Sequence, residues 1–216
     1  TLRHNFVNAD RGAGVSRNPF TLTFDGSEYL FNSMQNQTVA QLNSLFGNKA
    51  ANELRMSFTS IGDERDLQST RMFPQIEIRN LGEDENRDVN MGIGGFNQAN
   101  QLDQTRFELT NNFNYFLGNH VLTAGVHTQV VEFNNLFIPN LYGSWVFDNI
   151  TAFRNGEASQ YTARFSNDPN NPMPRTEFSY VQLAAYIQDE WKVQPNLKLN
   201  YGIRIDTYQY PNNPSD

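Results

Sequence analysis

The sequence lacks several features that would point directly to a function. It has no cysteine, which excludes disulfide bonds and cysteine-based metal sites. No stretch approaches the roughly 18 consecutive apolar residues of a membrane-spanning helix, and the mean hydropathy is −0.62. These properties suggest a soluble protein. They also fit the wall of a membrane β-barrel, because only alternate residues of its strands are apolar.

Signatures of catalysis are also missing. The chain has neither a Gly-x-Ser-x-Gly motif nor a cysteine nucleophile, so we predict that it is not an enzyme. Its three histidines, His4, His120 and His127, fall on different predicted strands or turns, and no metal-ligand spacing recurs. With 23 acidic and 16 basic residues, the net charge is −7, which argues against a nucleic-acid partner.

One acidic run offers oxygen ligands to a hard cation. Its carboxylates make calcium the one cofactor that the sequence suggests, although the spacing of a dedicated calcium loop is absent. The alternative is a solvated outer loop. The candidate ligands are Glu83, Asp84, Glu85 and Asp88.

What the chain does contain is alternation of apolar and polar residues. After the turn at Gln194-Pro195-Asn196, apolar residues occupy every second position up to Ile205, and polar residues or glycine fill the positions between them. A strict period of two over ten residues predicts a strand with one apolar and one polar face. Ten residues are also enough to cross a bilayer core at a tilt, which takes about 9–11.

Short and long connections alternate between such runs. Short turns lie at Gly47–Ala51, Gly118–His120 and Gln194–Asn196, and long stretches rich in Asn, Asp, Gly and Pro cover about 9–26, 65–104 and 134–177. Transmembrane barrels alternate short periplasmic turns with long outer loops. The pattern predicts seven strands, over residues 1–8, 28–46, 52–63, 105–117, 120–133, 178–193 and 197–208. The strand over 28–46 alternates poorly.

Parity assigns the two faces of these strands. A charge at the lipid face costs several kcal/mol at mid-membrane, so charged positions are expected to face the lumen. The predicted lumen-facing residues are Glu53, Arg55, Arg106, Glu108, His127, Lys192, Lys198 and Arg204. Aromatic residues cluster near the inner rim, as in an interfacial girdle, although a soluble sandwich would place them in its core. They are Phe46, Phe113, Tyr115, Phe116, Trp191 and Tyr201.

The long loops carry their own signals. A short helix is predicted around 147–153 with Asp148 or Asn149 as N-cap, and Gly92–Gly95 is interpreted as a turn. Loop aromatics offer a ligand or partner surface, unless they only pack the loop against its neighbours. The candidates are Tyr142, Trp145 and Phe147, with Phe137 and Leu141 beside them.

Four segments carry a resemblance to a known family. YIQDEWKVQPNLKLNYGIRID (Tyr186 to Asp206) resembles a barrel strand pair of TonB-dependent outer-membrane receptors, matching at Tyr186, Gln188, Asp189, Trp191, Leu197, Leu199, Gly202, Arg204 and Asp206. The stretches Gln41–Asp66, Thr105–Gln129 and Phe147–Tyr161 resemble the Oar-like branch, whose members carry a carboxypeptidase-regulatory-like domain. The resemblance covers most of the chain from Tyr29 onward.

The resemblance implies a 22-stranded barrel with an N-terminal plug in the outer membrane of a Gram-negative bacterium, driven by the inner-membrane TonB complex. It also implies that the lumen-facing charges hold the plug through charge pairs and water. The N-terminus is not a signal peptide, and neither plug nor TonB box is visible. We therefore expect all 216 residues to belong to one β-barrel domain of a longer protein. An intact mass of only 24.8 kDa for the native protein would contradict this.

The sequence thus predicts an all-β fold, a fragment of a large antiparallel transmembrane barrel with long extracellular loops. The expected function is TonB-dependent uptake of a nutrient, with membrane lipid, the plug, TonB and a surface lipoprotein as possible partners. One alternative is a receptor-like barrel that serves as a structural or interaction subunit of a surface or secretion assembly. Another is a soluble secreted β-protein.

Overall fold

A computed structural model describes residues 1–15, 18–24, 26–68, 72–81 and 87–211. The fold is almost entirely β. The strands are β1 (Leu2–Ala13), β2 (Thr21–Thr23), β3 (Tyr29–Phe46), β4 (Ala50–Leu67), β5 (Gln75–Ile78), β6 (Asp88–Met91), β7 (Asn100–Leu117), β8 (His120–Phe137), β9 (Ser144–Phe147), β10 (Gln160–Thr162), β11 (Thr176–Gln194) and β12 (Leu197–Gln209). One helix, α1 (Ile150–Asn155), and a 3₁₀ turn at Gly95–Asn97 complete the described elements.

The main sheet contains the seven long strands that the sequence predicts. Its order is β1-β3-β4-β7-β8-β11-β12, and every neighbouring pair is antiparallel. The hairpins β3–β4, β7–β8 and β11–β12 close through short turns at one end of the sheet, and all long connections lie at the other end. The predicted alternation of short and long connections is confirmed. By the barrel convention, the short-turn end is periplasmic and the long-loop end is extracellular.

The strands are longer than predicted, mainly at their extracellular ends. Strands β3, β4, β7 and β8 have 18 residues each, a length of about 60 Å at roughly 3.4 Å per residue. β7 begins at Asn100 rather than at 105, and Gln101 and Asp103 lie on the face that carries Phe107 further along. Alternation fails there because both faces are polar above the membrane. A pattern search for apolar faces therefore ends each strand too early.

The pairing register separates two faces across the whole sheet. We call the face that carries Leu54, Phe107 and Ile203 the outward face. Its apolar side chains are exposed in this chain; Ile187 is 58% and Ile203 71% exposed. The opposite, inner face carries mostly polar groups. A continuous exposed apolar band on one face of a sheet is expected in contact with lipid and not with water.

The extracellular connections form a second sheet, which we call the outer sheet. Its order is β10-β9-β5-β6-β2, with parallel pairs β2–β6 and β5–β9 and antiparallel pairs β5–β6 and β9–β10. All three long connections contribute strands to it. The sequence analysis interpreted these long connections as loops, and the structure corrects that interpretation. Strands of three or four residues are too short to show a period, and their pairing partners are distant in the chain.

The main buried cluster lies at the extracellular end of the main sheet, where β7 and β8 meet their long connections. Ala99, Leu136 and Ile138 are at most 9% exposed and pack with Leu141. Ile93, Val146 and Phe147 are also buried at this end. Most large apolar residues of the main sheet face outward, whereas Val39 and Val131 are buried on the inner face.

The local predictions in these connections hold in part. α1 begins after Asn149, whose Oδ1 accepts a hydrogen bond from the Ala152 backbone N–H at 2.9 Å, so Asn149 is the N-cap. The helix ends at Gly156 in the left-handed conformation (φ 73°). Gly92 also has positive φ, and Gly95 begins the 3₁₀ turn. No helix among the described residues is long and apolar enough to cross a membrane.

Candidate functional site

A row of side chains on the inner face crosses four strands. Asn112, Gly125, Tyr186 and Arg204 are direct register partners on β7, β8, β11 and β12. The Tyr186 ring lies over Gly125 and its hydroxyl donates to the Asn112 side chain. A Cβ at Gly125 would stand 2.2 Å from Tyr186 Cζ, so only glycine leaves room for this ring. The Arg204 guanidinium lies over the Tyr186 ring, with Cζ 5.4 Å from the ring centroid.

Ion pairs and hydrogen bonds extend this polar surface. Arg204 donates to both carboxylate oxygens of Asp206 at 2.8 and 2.9 Å, and Gln182 donates to the same carboxylate at 3.0 Å. Lys198 Nζ lies 2.5 Å from Glu190. Two-point pairing between a guanidinium and a carboxylate fixes the orientation of the two groups relative to each other.

The inner face also carries the other charged residues that parity predicts. Glu108 accepts a hydrogen bond from Ser57 Oγ at 2.8 Å and lies 3.6 Å from Arg106 Nε. His127 Nδ1 is 2.9 Å from Thr110 Oγ1. The register places all eight predicted lumen-facing residues on this one face, with Glu53 and Arg55 on β4. Their role in holding a plug stays a prediction.

The outward face is divided along its height. Above the apolar band lies a polar collar, where Thr105 donates to Glu132 at 3.1 Å and Asn134 donates to Glu177 at 2.8 Å. Arg175 bridges strands there through Asp103 at 3.2 Å. These charged groups lie toward the extracellular end of the face and mark the upper edge of the membrane band.

The lower edge carries the predicted aromatic girdle. Phe46, Phe113, Tyr115, Trp191 and Tyr201 point outward, and Phe46 packs on Phe113 with centroids 6.4 Å apart. Phe116 is the exception, since its register with Val121 places it on the inner face.

At this lower edge an acidic group faces outward, which the sequence interpretation missed. The Asp189 carboxylate is only 7% exposed. Its Oδ2 lies 2.7 Å from His120 Nδ1 and accepts a hydrogen bond from the Tyr201 hydroxyl at 2.7 Å. The His120 ring stacks on Trp191 with centroids 5.4 Å apart and an interplanar angle of 11°. The family motif contains Asp189, but its two partners come from other strands and leave no local signal.

The outer sheet has an apolar and a polar face. The register places Tyr161, Trp145, Ile76 and Met91 on one face, and Gln160, Val146 and Glu77 on the other. Trp145 and Tyr161 pack against each other at the exposed edge with ring centroids 4.2 Å apart and planes tilted by 36°, and they are 37% and 55% exposed. Two exposed, mutually braced rings form a surface on which a flat ligand group can stack.

The other predicted loop aromatics have different places. Phe147 is 7% exposed and packs edge-on against Phe153, with centroids 5.2 Å apart, in the position of a core residue. Tyr142 is partly buried, and its backbone N–H donates to Gln98 Oε1 at 2.6 Å. Phe137 stacks on Phe96. A role for Tyr142, Trp145 or Phe147 in ligand binding stays a prediction. Tyr161 was not among the predicted residues because it lies on a strand whose partner is 16 positions away.

The calcium candidates fall mostly beyond the described ranges. Glu83, Asp84 and Glu85 lie outside them, and Asp88 is the first residue of β6. Within the part of the chain that the structure describes, no group of three or more His, Asp or Glu side chains is placed to hold a metal ion.

Seven antiparallel strands with a lipid-type apolar band, a polar inner face and an aromatic lower edge define an outer-membrane β-barrel protein. Comparison with known proteins agrees. The model of the outer membrane beta barrel domain family matches residues 4–216, and the chain belongs to this family. It therefore resides in the outer membrane of a Gram-negative bacterium.

Among solved structures, the outer membrane transporter YddB from Escherichia coli is similar in fold. The TM-score is 0.59 at 12% sequence identity, over 99% of this chain and 26% of the YddB chain. The chain thus spans about a quarter of the length of that transporter. No curated protein matches the sequence. Neither the family nor this structural neighbour is described as an enzyme.

Proposed function

We propose that the chain is part of the barrel of a TonB-dependent receptor that imports a nutrient across the outer membrane. The observation that carries the proposal is the pairing of a polar inner face with an ordered extracellular sheet above it. The family membership and the fold shared with a transporter support it. The resemblance of Tyr186 to Asp206 to the receptor strand pair supports dependence on TonB and, with the other three segments, the Oar-like branch.

The inner face is suited to a water-lined path or to a folded plug. Its charges are balanced locally, as in the Arg204–Asp206 and Lys198–Glu190 pairs. Within the described residues, the side chains of Glu53 and Arg55 have no ion-pair partner. We propose that these two residues contact the plug, since a plug would supply the opposite charges.

We assign ligand capture to the Trp145–Tyr161 pair on the outer sheet. The rings are exposed, in contact with each other and held on paired strands, so little side-chain freedom is lost when a ligand binds. In the full-length receptor, replacing both rings by alanine is expected to weaken ligand binding at least about tenfold, or roughly 1.4 kcal/mol. Phe165→Ala is the matched control, because Phe165 is 77% exposed and outside the pair.

Uptake of labelled candidate nutrients by cells with and without TonB tests the transport proposal. Energy-dependent uptake that disappears without TonB is expected. Uptake independent of TonB would contradict the mechanism and leave a structural or interaction subunit of a surface assembly as the better reading. The ordered outer sheet is the observation that favours this second candidate, since a folded platform suits a protein partner such as a surface lipoprotein.

A further inference from the structure

A recess opens on the inner face at the height where the outward face changes from the apolar band to the polar collar. Neighbouring register partners on β4, β7, β8 and β11 form it, and its volume is about 130 Å³. We call it the lumenal recess. Each of these four strands has a paired neighbour on both sides, so the free edges of the sheet do not border it. The main lining residues are Thr59, Gln104, Arg106, Gln129, Phe133 and Tyr180.

The apolar wall of the recess is held in place by its neighbours. The Phe133 ring stacks on Phe178, its register partner on β11, with centroids 4.6 Å apart and an interplanar angle of 14°. Tyr180 lies 6.4 Å from the same ring, and its hydroxyl accepts a hydrogen bond from Gln129 Nε2 at 3.1 Å. Val131, between the two rings along the strands, is 4% exposed. A wall fixed in this way loses little freedom when a ligand binds.

Arg106 is the charged group of the recess. None of the described residues that line the recess is acidic. Glu108, two residues further along the same face of β7, approaches Arg106 Nε only to 3.6 Å, which is longer than a hydrogen bond, and it accepts from Ser57 Oγ at 2.8 Å. The terminal guanidinium nitrogens have no hydrogen-bond partner among the described residues, and the side chain is 40% exposed. Arg106 therefore keeps its donors available for a ligand.

These features select the chemistry of the occupant. A planar guanidinium pairs at two points with a carboxylate, and the Tyr180 hydroxyl, whose oxygen already accepts from Gln129, has its own proton left to donate. An ammonium group would be repelled by Arg106. The volume equals that of roughly four water molecules, so the rest of a larger ligand would lie in the lumen.

We propose that the lumenal recess binds a carboxylate carried on a short apolar stem, as in a small carboxylic acid or the C-terminal residue of a peptide. The carboxylate pairs with Arg106 and the stem lies against Phe133 and Val131. The proposal rests on the proposed uptake function, because it names the class of ligand that would pass along the inner face.

The test is isothermal titration calorimetry of the full-length receptor in detergent. The probes are 4-methylpentanoate and N-acetylglycyl-leucine, each compared with its own carboxamide, which has the same shape without the charge. We expect saturable binding of at least one acid, at least about tenfold tighter than that of its amide. Tighter binding of 4-methylpentanoate identifies a small acid as the ligand, and tighter binding of the dipeptide identifies a peptide C-terminus.

Variants separate the two parts of the recess. Arg106→Gln should remove the preference for acid over amide, and Arg106→Lys should reduce it, because an ammonium keeps the charge but not the two-point pairing. Phe133→Leu should weaken acid and amide alike. Arg3→Gln is the matched control, since it removes the same charge from the inner face on β1, outside the recess, and should leave the preference unchanged.

Several outcomes would overturn the proposal. Equal binding of acid and amide by the wild-type receptor, or no binding of either acid, would do so even if the variants fail to fold. A folded Arg106→Gln receptor that keeps the preference would assign the carboxylate to another site. Loss of the preference in Arg3→Gln would reveal a general effect of lumenal charge. The calorimetry needs no TonB, so TonB-independent uptake beside intact carboxylate binding would overturn the transport proposal alone.

Discussion

Gly125 makes room for the Tyr186 side chain on the inner face. Its missing side chain lets Tyr186 lie flat across β8 and reach Asn112 on β7, two strands away. The sequence alternation predicted the face of Gly125 but not this contact. The contact depends on the pairing register of β7, β8 and β11, which the alternation within each strand does not determine.

We expect Gly125→Val to destabilise the folded receptor by about 1–3 kcal/mol, because the added side chain displaces a ring that has no other space. The measurement is urea unfolding in detergent, followed by tryptophan fluorescence. Gly12→Ala is the control, since a Cβ at Gly12 meets no atom within 4 Å and its φ is not positive. A stability loss equal to that of the control would show that the Tyr186 ring has room elsewhere.

Gln98 is a second residue whose side chain makes several specific contacts, because both its Nε2 and its Oε1 groups are hydrogen-bonded to backbone atoms. It is 3% exposed, its Nε2 donates to the Ile93 and Gly143 carbonyls at 3.0 Å each, and its Oε1 accepts from Tyr142 N–H. Buried amides in a loop cannot be recognised from local sequence, since glutamine is equally common on surfaces.

We expect Gln98→Leu to loosen the outer sheet while the membrane strands stay folded, since each backbone group left unpaired costs about 1–3 kcal/mol. Hydrogen exchange by mass spectrometry should show faster exchange at 92–98 and 140–147 only. Gln160→Leu at the exposed edge is the matched control. Unchanged exchange in Gln98→Leu would mean that water replaces the lost hydrogen bonds.

At the scale of the element, periodicity identified all seven long strands and every short turn. It succeeded in the membrane band, where lipid on one side and polar groups on the other impose a period of two. It failed above the band, because strand ends with two polar faces look like loops. The outer sheet was missed for a related reason: β5 and β9 pair in parallel across 65 or more residues of chain.

The outward and inner assignments of β12 are open to direct measurement. In the full-length receptor, spin labels at Leu199 and Ile203 are expected to collide with lipid-dissolved oxygen several-fold more often than a label at Asn200, because alternate positions face opposite sides. Power-saturation electron paramagnetic resonance gives these accessibilities. Similar values at all three positions would contradict the assignment of an apolar lipid face.

For the whole molecule, the two outermost strands determine what the chain can do alone. β1 and β12 each have one neighbour in the main sheet, and their free edges would leave backbone N–H and C=O groups unpaired in lipid. Composition and hydropathy gave no information on how the barrel closes. The number of predicted long strands did, because seven strands are too few to close a large barrel. The identity of any ligand cannot be predicted from the sequence, because it would depend on contacts made by the extracellular loops.

We therefore expect residues 1–216, expressed alone, to give no heat-modifiable band on a detergent gel, whereas the full-length receptor does. Each unpaired backbone group in hydrocarbon costs several kcal/mol, so an isolated seven-stranded sheet does not remain in the bilayer. Circular dichroism of the fragment in the same detergent provides a check on strand content. A discrete folded monomer of the fragment would refute the requirement for additional strands.

The parallel pairing within the outer sheet has an immunological and engineering consequence. Strands from three separate surface loops lie side by side in one sheet and are joined by the parallel pairs β2–β6 and β5–β9, so an antibody or a phage that contacts this platform can meet residues from all three loops at once. A synthetic peptide copied from one loop lacks the parallel partner strands that the other loops supply, and is a poor mimic of the native epitope. For the same reason, a loop transplanted alone from another receptor arrives without its partners, and successful exchange of binding specificity requires moving the three loops together.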